Sequence, residues 1–79
     1  LHSFSLAETR AVVQLRLSEN GLFCSARVPE VIHEVTAGIA GNIFRLIDMA
    51  QLVGGGLPGR PIEVADIEQI HERLYAAAA

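Results

Sequence analysis

Glycine and proline divide this chain into four short segments, and within each segment the apolar residues recur with the period of an α-helix. The breaks fall at Gly21, at Gly38 and across residues 54–61, a stretch with four glycines and two prolines. Glycine readily takes the left-handed conformation that ends a helix, and proline cannot continue one. The sequence therefore predicts an all-α fold with four helices, at about 5–20, 26–37, 41–53 and 63–77.

The first and fourth helices have clear start signals. Ser5 is followed three residues later by Glu8, which is the capping-box pattern in which each side chain accepts a backbone N–H of the other residue. Ile62 and Ile67 flank the expected N-cap Glu63, so they can form a hydrophobic staple across the start of the fourth helix. Both patterns predict where a helix begins.

The second helix has two possible starts. Ser25 is a good N-cap but would place Pro29 at the fourth helical position. Alternatively Val28 is the N-cap and Pro29 takes the first helical position, which proline favours. The β-branched residues within 31–36 make a strand the competing structure, whereas the helical spacing and the following Gly38 favour a helix.

The apolar stripes of the four helices are expected to form the core of a single domain, 1–79. Their members are Leu6, Val13 and Leu17 with Val12 beside them; Val28, Val31, Ile32 and Val35; Ile39, Ile43, Leu46, Ile47 and Ala50; and Ile67, Ile70 and Leu74. Leu22 and Phe23 are expected to anchor the first connection. A chain of 79 residues buries only about 60% of its unfolded surface, so a small stability margin is expected.

The composition indicates a domain with a surface for a partner. Apolar residues make up 51% of the chain and the mean hydropathy is +0.36, which is high for a small domain on its own. No run approaches the ~18 consecutive apolar residues of a membrane span, so no membrane contact is expected. The surplus apolar surface therefore predicts contact with another protein.

The charge argues against nucleic acid as that partner. Six basic and nine acidic residues give a net charge of −3, whereas a domain that holds DNA through its phosphates normally presents positive charge. DNA binding by this domain is therefore not expected. Cys24 is the single cysteine, which predicts a packing residue and a reducing, cytoplasmic setting.

The chain offers no set of residues typical of a catalytic or metal centre. His2, His33 and His71 are isolated in the sequence, and a zinc site needs about four converging ligands. The glycine-rich stretch 54–60 lacks the lysine and the hydroxyl residue of a phosphate-binding loop, and it follows a helix instead of a strand. We therefore predict no catalytic residue, no metal site and no cofactor held by this chain alone.

The most informative stretch is the corner from Gly38 to Gly41, where one helix ends and the next begins. Gly41 is expected to let the third helix approach neighbouring backbone or a ligand closely. A helix N-terminus presents N–H groups and the positive end of the helix dipole, which suits an anion. A plain helix–helix corner explains the same residues without a ligand.

The sequence around this corner resembles the C-terminal helical lid of bacterial AAA+ ATPases. The matching residues are Thr36-Ala37-Gly38-Ile39, then Gly41, then Ile43-Phe44-Arg45-Leu46-Ile47-Asp48-Met49-Ala50. The stretches 4–10 and 60–67 are similar to the starts of the first and last helices of such lids. The resemblance is to the transposition-regulator group, TniB-like and Mu B-like ATP-binding proteins, and to ExeA-like ATPases of the general secretion pathway.

The resemblance implies a four-helix, AAA+ lid-like bundle that is a piece of a longer chain and has no catalysis of its own. ATP and magnesium would be held by the parent protein, upstream of Leu1. The implied partners are the ATPase core domain, neighbouring subunits, and a transposase or a secretion component. The implied function is to couple the nucleotide state of the core to those contacts.

The resemblance also places Gly41, Asn42 and Arg45 at a nucleotide-facing corner. Many AAA+ lids carry an arginine near the start of the third helix that reaches the γ-phosphate, and in the secretion-type pattern this position falls at Gly41. Arg45 lies one turn later. It is either a substitute for that arginine or an ion-pair partner of Asp48 or Glu30.

Two other functions stay open. The second and third helices have about the spacing of a helix-turn-helix DNA-binding module, in which Asn42, Arg45 and Gln51 would stand beside Asp48. One arginine is a sparse set for base and phosphate contacts. The other alternative is a free-standing helical adaptor with no ATPase parent, which would present an exposed apolar groove and form a dimer.

Overall fold

The computed structural model describes residues 3–54 and 60–76. In this part of the chain the predicted all-α, four-helix bundle is confirmed, with helices α1 (Leu6–Glu19), α2 (Val28–Thr36), α3 (Ala40–Gly54) and α4 (Val64–Ala76). The competing strand for the second segment is excluded. Most of the predicted glycine-rich loop, residues 55–59, and the predicted end of the last helix at 77 lie outside the described residues.

The start and end of α1 are confirmed in detail. The Glu8 backbone N–H donates to Ser5 Oγ at 3.2 Å, and the Ser5 backbone N–H donates to Glu8 Oε1 at 2.9 Å. This is the reciprocal pairing of a capping box. After the C-cap Asn20, Gly21 has φ +71°, the left-handed conformation that glycine tolerates without a Cβ clash.

Both predicted starts of α2 are wrong. Arg27 is the N-cap, Val28 is the first helical residue and Pro29 is the second. Ser25 lies before the helix, and its hydroxyl donates to Glu63 Oε2 at 2.6 Å. The reason is a tertiary contact. The Ser25 hydroxyl is hydrogen-bonded to Glu63, just before α4, and is therefore not used to cap α2.

The start of α4 has the expected form. Ile62 and Ile67 are both buried in the common core, as a hydrophobic staple requires. The Glu63 backbone N–H donates to Asp66 Oδ2 at 2.9 Å, and Arg60 pairs with the same carboxylate at 3.2 Å. The Asp66 side chain thus closes the first turn and holds the chain that leads into it.

One apolar core joins the four helices. Helices α2 and α3 each pack against all three others, whereas the described parts of α1 and α4 do not pack against each other. The buried apolar side chains are Val13, Leu17, Val28, Val31, Ile32, Ile43, Leu46, Ile47, Ala50, Ile62, Ile67 and Ile70. The stripe residues Val12, Val35 and Leu74 and the anchor Leu22 are half-buried against this cluster.

Three residues predicted to be buried are exposed. They are Leu6 at 40%, Ile39 at 49% and Phe23 at 53% exposure. Leu6 opens α1, ahead of the turns that reach the core. Ile39 and Phe23 lie in connections, where the helical period does not set the direction of a side chain.

Two isolated backbone bridges fix these connections within the described residues. One joins Ser3 to Ile39 and the other joins Cys24 to Ile62. In the second bridge, the Ser25 N–H donates to Ile62 O, and the Ile62 N–H donates to Phe23 O, both at 2.9 Å. The lead into α4 is therefore tied to the α1–α2 connection.

Candidate functional site

The corner between α2 and α3 is built on two successive left-handed residues. Ala37 has φ 53° and Gly38 has φ +76°. The Ala37 N–H donates to Glu34 O at 3.4 Å, and the Ile39 N–H donates to Thr36 O at 3.0 Å. This pair of turns ends α2 and redirects the chain into α3 within three residues.

Gly38, and not Gly41, is the glycine that permits a close approach. A Cβ built on Gly38 would lie 2.6 Å from the Phe4 backbone oxygen and 3.3 Å from His33 Cε1, whereas a Cβ on Gly41 would meet nothing within 4 Å. The prediction that Gly41 lets α3 approach neighbouring backbone closely is therefore wrong, while a close approach to a ligand there stays a prediction. Residues 3–5 cross the corner at Gly38, and no local pattern reports that crossing.

The three predicted site residues lie together at the start of α3. Gly41 and Asn42 are in its first turn and Arg45 is one turn later. Gly41 and Arg45 are exposed, and Asn42 is half-buried. Residues four apart share a helix face, so Gly41 and Arg45 stand on the face opposite the buried Ile43.

The ion pairs predicted for Arg45 are wrong. Glu30 pairs with Arg10 at 3.1 Å, and Asp48 faces Arg16 at 3.9 Å. Both partners come from α1, which packs against α2 and α3. Within residues 3–54 and 60–76, Arg45 has no ion pair. It is a cation on an outward face with its charge uncompensated by a close carboxylate.

The exposed face of α3 becomes apolar toward its C-terminal end. Met49 is 37% exposed and Leu52 is 76% exposed. Together with Gly41 and Arg45 they fall at intervals of three or four residues, which is one side of a helix. We call Gly41, Arg45, Met49 and Leu52 the outer face of α3. It joins one positive charge to two large apolar side chains.

A stack of side chains that the sequence patterns do not indicate lies next to this corner. The Phe4 and Phe44 rings meet edge to face with centroids 6.1 Å apart, and the Arg16 guanidinium lies 4.5 Å from the centroid of Phe44. The three residues come from the segment before α1, from α3 and from α1. Because they are distant in sequence, no spacing rule could have found them.

The histidine at the corner is part of a polar contact between α1 and α2. His33 Nδ1 lies 3.0 Å from the hydroxyl of Thr9, which is fully buried. The Thr36 hydroxyl donates to Ile32 O at 2.7 Å. The described residues contain no group of three or more His, Cys, Asp and Glu side chains placed to hold a metal ion.

An open groove of about 220 Å³ lies beside the second half of α1. This volume is below the ~300–1,000 Å³ typical of small-molecule pockets. The lining residues are Gln14, Leu17, Ser18, Leu22, Phe23, Cys24, Ser25 and Ala26. The groove is a shallow apolar feature and brings no catalytic set together.

We expect the Cys24 thiol to react slowly with thiol reagents at neutral pH. Burial raises the pKa of this thiol above its ordinary value because desolvation disfavours the thiolate, and the thiolate is the nucleophile. The measurement is the alkylation rate of the folded chain and of the chain unfolded in urea, from neutral to alkaline pH. The folded chain should react more slowly, and its alkylation rate should rise at a higher pH than that of the unfolded chain. Equal rates would contradict the burial of Cys24.

Comparison of the chain with protein-family models, with curated proteins and with solved structures finds no match. Among the described residues, no helix is both long and apolar enough to cross a membrane.

Proposed function

We propose that this chain is the C-terminal lid and partner-binding domain of an AAA+ ATP-binding protein, of the kind that takes part in DNA transposition. The observation that carries the proposal is the outer face of α3, which joins the unpaired Arg45 to exposed Met49 and Leu52. Exposed apolar area beside an available cation is typical of a surface that another protein covers.

The helix starts support the same proposal. The Ser5 capping box, the Gly38 corner and the buried Ile62 follow one another in the order that the resemblance to AAA+ lids implies. Their value is that they occur in one order along nearly the whole described chain.

In this proposal the domain acts by docking. It closes over ATP and magnesium held by the core of the parent protein, and the outer face of α3 meets that core, a neighbouring subunit, or a transposase or secretion component. Arg45 supplies the positive charge on that face, near the exposed Asp48 that faces Arg16, and would be attracted to a phosphate or a carboxylate. We also propose a cytoplasmic setting, since Cys24 is the single cysteine.

The coding sequence that precedes Leu1 tests the parentage directly. We expect it to encode, in the same reading frame, a strand followed by the phosphate-loop pattern G-x-x-x-x-G-K-[ST]. A natural reading frame that starts within a few codons of Leu1 would exclude an ATPase core upstream and would overturn the proposal.

A substitution in that parent protein tests the role of Arg45. If Arg45 contacts the nucleotide, Arg45→Gln should lower the ATP turnover number by about tenfold or more, in line with the loss of one charge-stabilising group. Arg73→Gln is the matched control because Arg73 is an exposed arginine on α4. Equal, small effects of both substitutions would show that Arg45 does not contact the nucleotide. The outer face of α3 would then have only a packing role.

The helix-turn-helix alternative receives less support from the geometry. The Gln51 amide is engaged, since Nε2 donates to Arg16 O at 3.2 Å, and Asp48 is exposed on the same helix. The exposed side of α3 would therefore offer DNA one free arginine beside a carboxylate and two apolar side chains. That combination suits a protein partner better than a phosphate backbone.

A free-standing adaptor is the second candidate. The apolar groove beside α1 and the exposed Phe23 favour it, because an aromatic residue at a groove is a common anchor at interfaces. Sedimentation equilibrium of the chain tests this alternative. A concentration-dependent dimer that Phe23→Ala abolishes would support it, and a monomer at all concentrations would count against it.

A further inference from the structure

We propose that Ser3 and Phe4 form a latch on the α2–α3 corner. The latch opens separately from the rest of the bundle, and its opening loosens the first turns of α3. This is a conformational device built into the fold. It does not depend on the proposed function, since it concerns contacts within this chain only.

The latch is held by backbone pairing. The Phe4 N–H donates to Gly38 O at 2.8 Å, and Ser3 forms an antiparallel bridge with Ile39. The fit is close enough that a Cβ at Gly38 would lie 2.6 Å from Phe4 O. Ser3 and Phe4 thus lie against Ile39 and Gly38, the two residues just before α3.

Side chains tie the latch to two helices. The Phe4 ring and the Phe44 ring of α3 meet edge to face at an interplanar angle of 87°, and the guanidinium of Arg16, on α1, lies over the Phe44 ring. Arg16 also faces Asp48 at 3.9 Å. Edge-to-face aromatic pairs are stabilising beyond their buried area, so release of Phe4 would weaken the packing of Phe44.

The latch is weaker than the core that it covers. Phe4 and Phe44 are half-buried, whereas Ile43 and Leu46 of the same helix are fully buried. Segments with few buried contacts open at lower free energy than core helices. The backbone bonds of the latch go to the corner, and its aromatic contact is with α3. Its opening should therefore loosen the first turns of α3 and the core side chains next to Phe4, and leave the Cys24–Ile62 bridge intact.

Amide hydrogen exchange of the isotopically labelled chain, followed by NMR, tests the latch. We expect the Phe4 amide to exchange more slowly than in an unstructured peptide but faster than the core amides of Val13 and Ile47. An unprotected Phe4 amide would show that no latch forms. A Phe4 amide that exchanges only at the rate of the core amides would show that it opens only with global unfolding, which also overturns the proposal.

A pair of matched variants tests the coupling to α3. Phe4→Ala should speed exchange of the amide at position 4 by about fivefold or more and shift the resonances of Asn42 and Arg45, with the Ser25 and Ile62 amides unchanged. Phe23→Ala, which removes an exposed ring, should alter neither the latch nor the start of α3. Equal acceleration at Ser25 and Ile62 in Phe4→Ala would mean general destabilisation and would refute a separate latch.

Discussion

Gly38→Ala should destabilise the fold more than any other glycine-to-alanine change in the described residues. The left-handed φ of +76° costs an L-residue roughly 1–2 kcal/mol. The new Cβ would also meet the Phe4 backbone oxygen at 2.6 Å, and overpacking of this kind costs roughly 1–3 kcal/mol more. Urea unfolding should therefore show a loss of about 2–5 kcal/mol, a large part of the stability of a domain of this size.

Two other glycines separate the causes of that loss. Gly21 has φ +71° but open space around it, so Gly21→Ala should show the backbone cost alone, about 1–2 kcal/mol. Gly41 has open space and lies in a helix, so Gly41→Ala should be neutral or stabilise by up to about 1 kcal/mol. A loss at Gly38 no larger than the loss at Gly21 would contradict the close contact with Phe4.

The contrast between these glycines shows which part of the fold could be predicted from sequence. The Ser5 capping box was predictable because both of its hydrogen bonds join residues three apart. Gly21 was predictable for the same reason, since it ends a helix through its own backbone. The role of Gly38 beside Phe4 depends on where the chain crosses the corner. That crossing is set by the packing of the whole bundle, and a local pattern therefore assigned the close approach to Gly41 instead.

At the candidate site, the ion-pair partners of charged residues likewise could not be predicted from local sequence patterns. Arg45 was correctly placed on α3, but its expected partners Glu30 and Asp48 are taken by Arg10 and Arg16 of α1. The angle at which α1 packs against α2 and α3 decides those pairs, and apolar periodicity indicates which face of α1 is buried without indicating that angle. The result changes the interpretation of Arg45. Arg45 is not the ion-pair partner of Glu30 or Asp48, and it is therefore a cation available to a ligand or a partner protein.

Leu46→Ala should destabilise the domain by about 2–5 kcal/mol, because it removes a fully buried side chain from a core that relaxes only partly around the cavity. Leu46 lies on α3, which packs against all three other helices, so few neighbours are free to move into the space. Urea unfolding monitored by circular dichroism is the measurement. The urea concentration at the midpoint of unfolding should fall. The slope of the free energy of unfolding against urea concentration should stay the same as long as the variant still folds.

Leu52→Ala is the matched control for that loss. It makes the same chemical change on the same helix, but Leu52 is 76% exposed, and exposed substitutions usually change stability by less than about 0.5 kcal/mol. Comparable losses in both variants would contradict the assignment of the two faces of α3. If the outer face of α3 docks on a partner, Leu52→Ala should weaken that binding while the fold stays intact. The two leucines then separate the side of α3 that holds the bundle together from the side that is available for function.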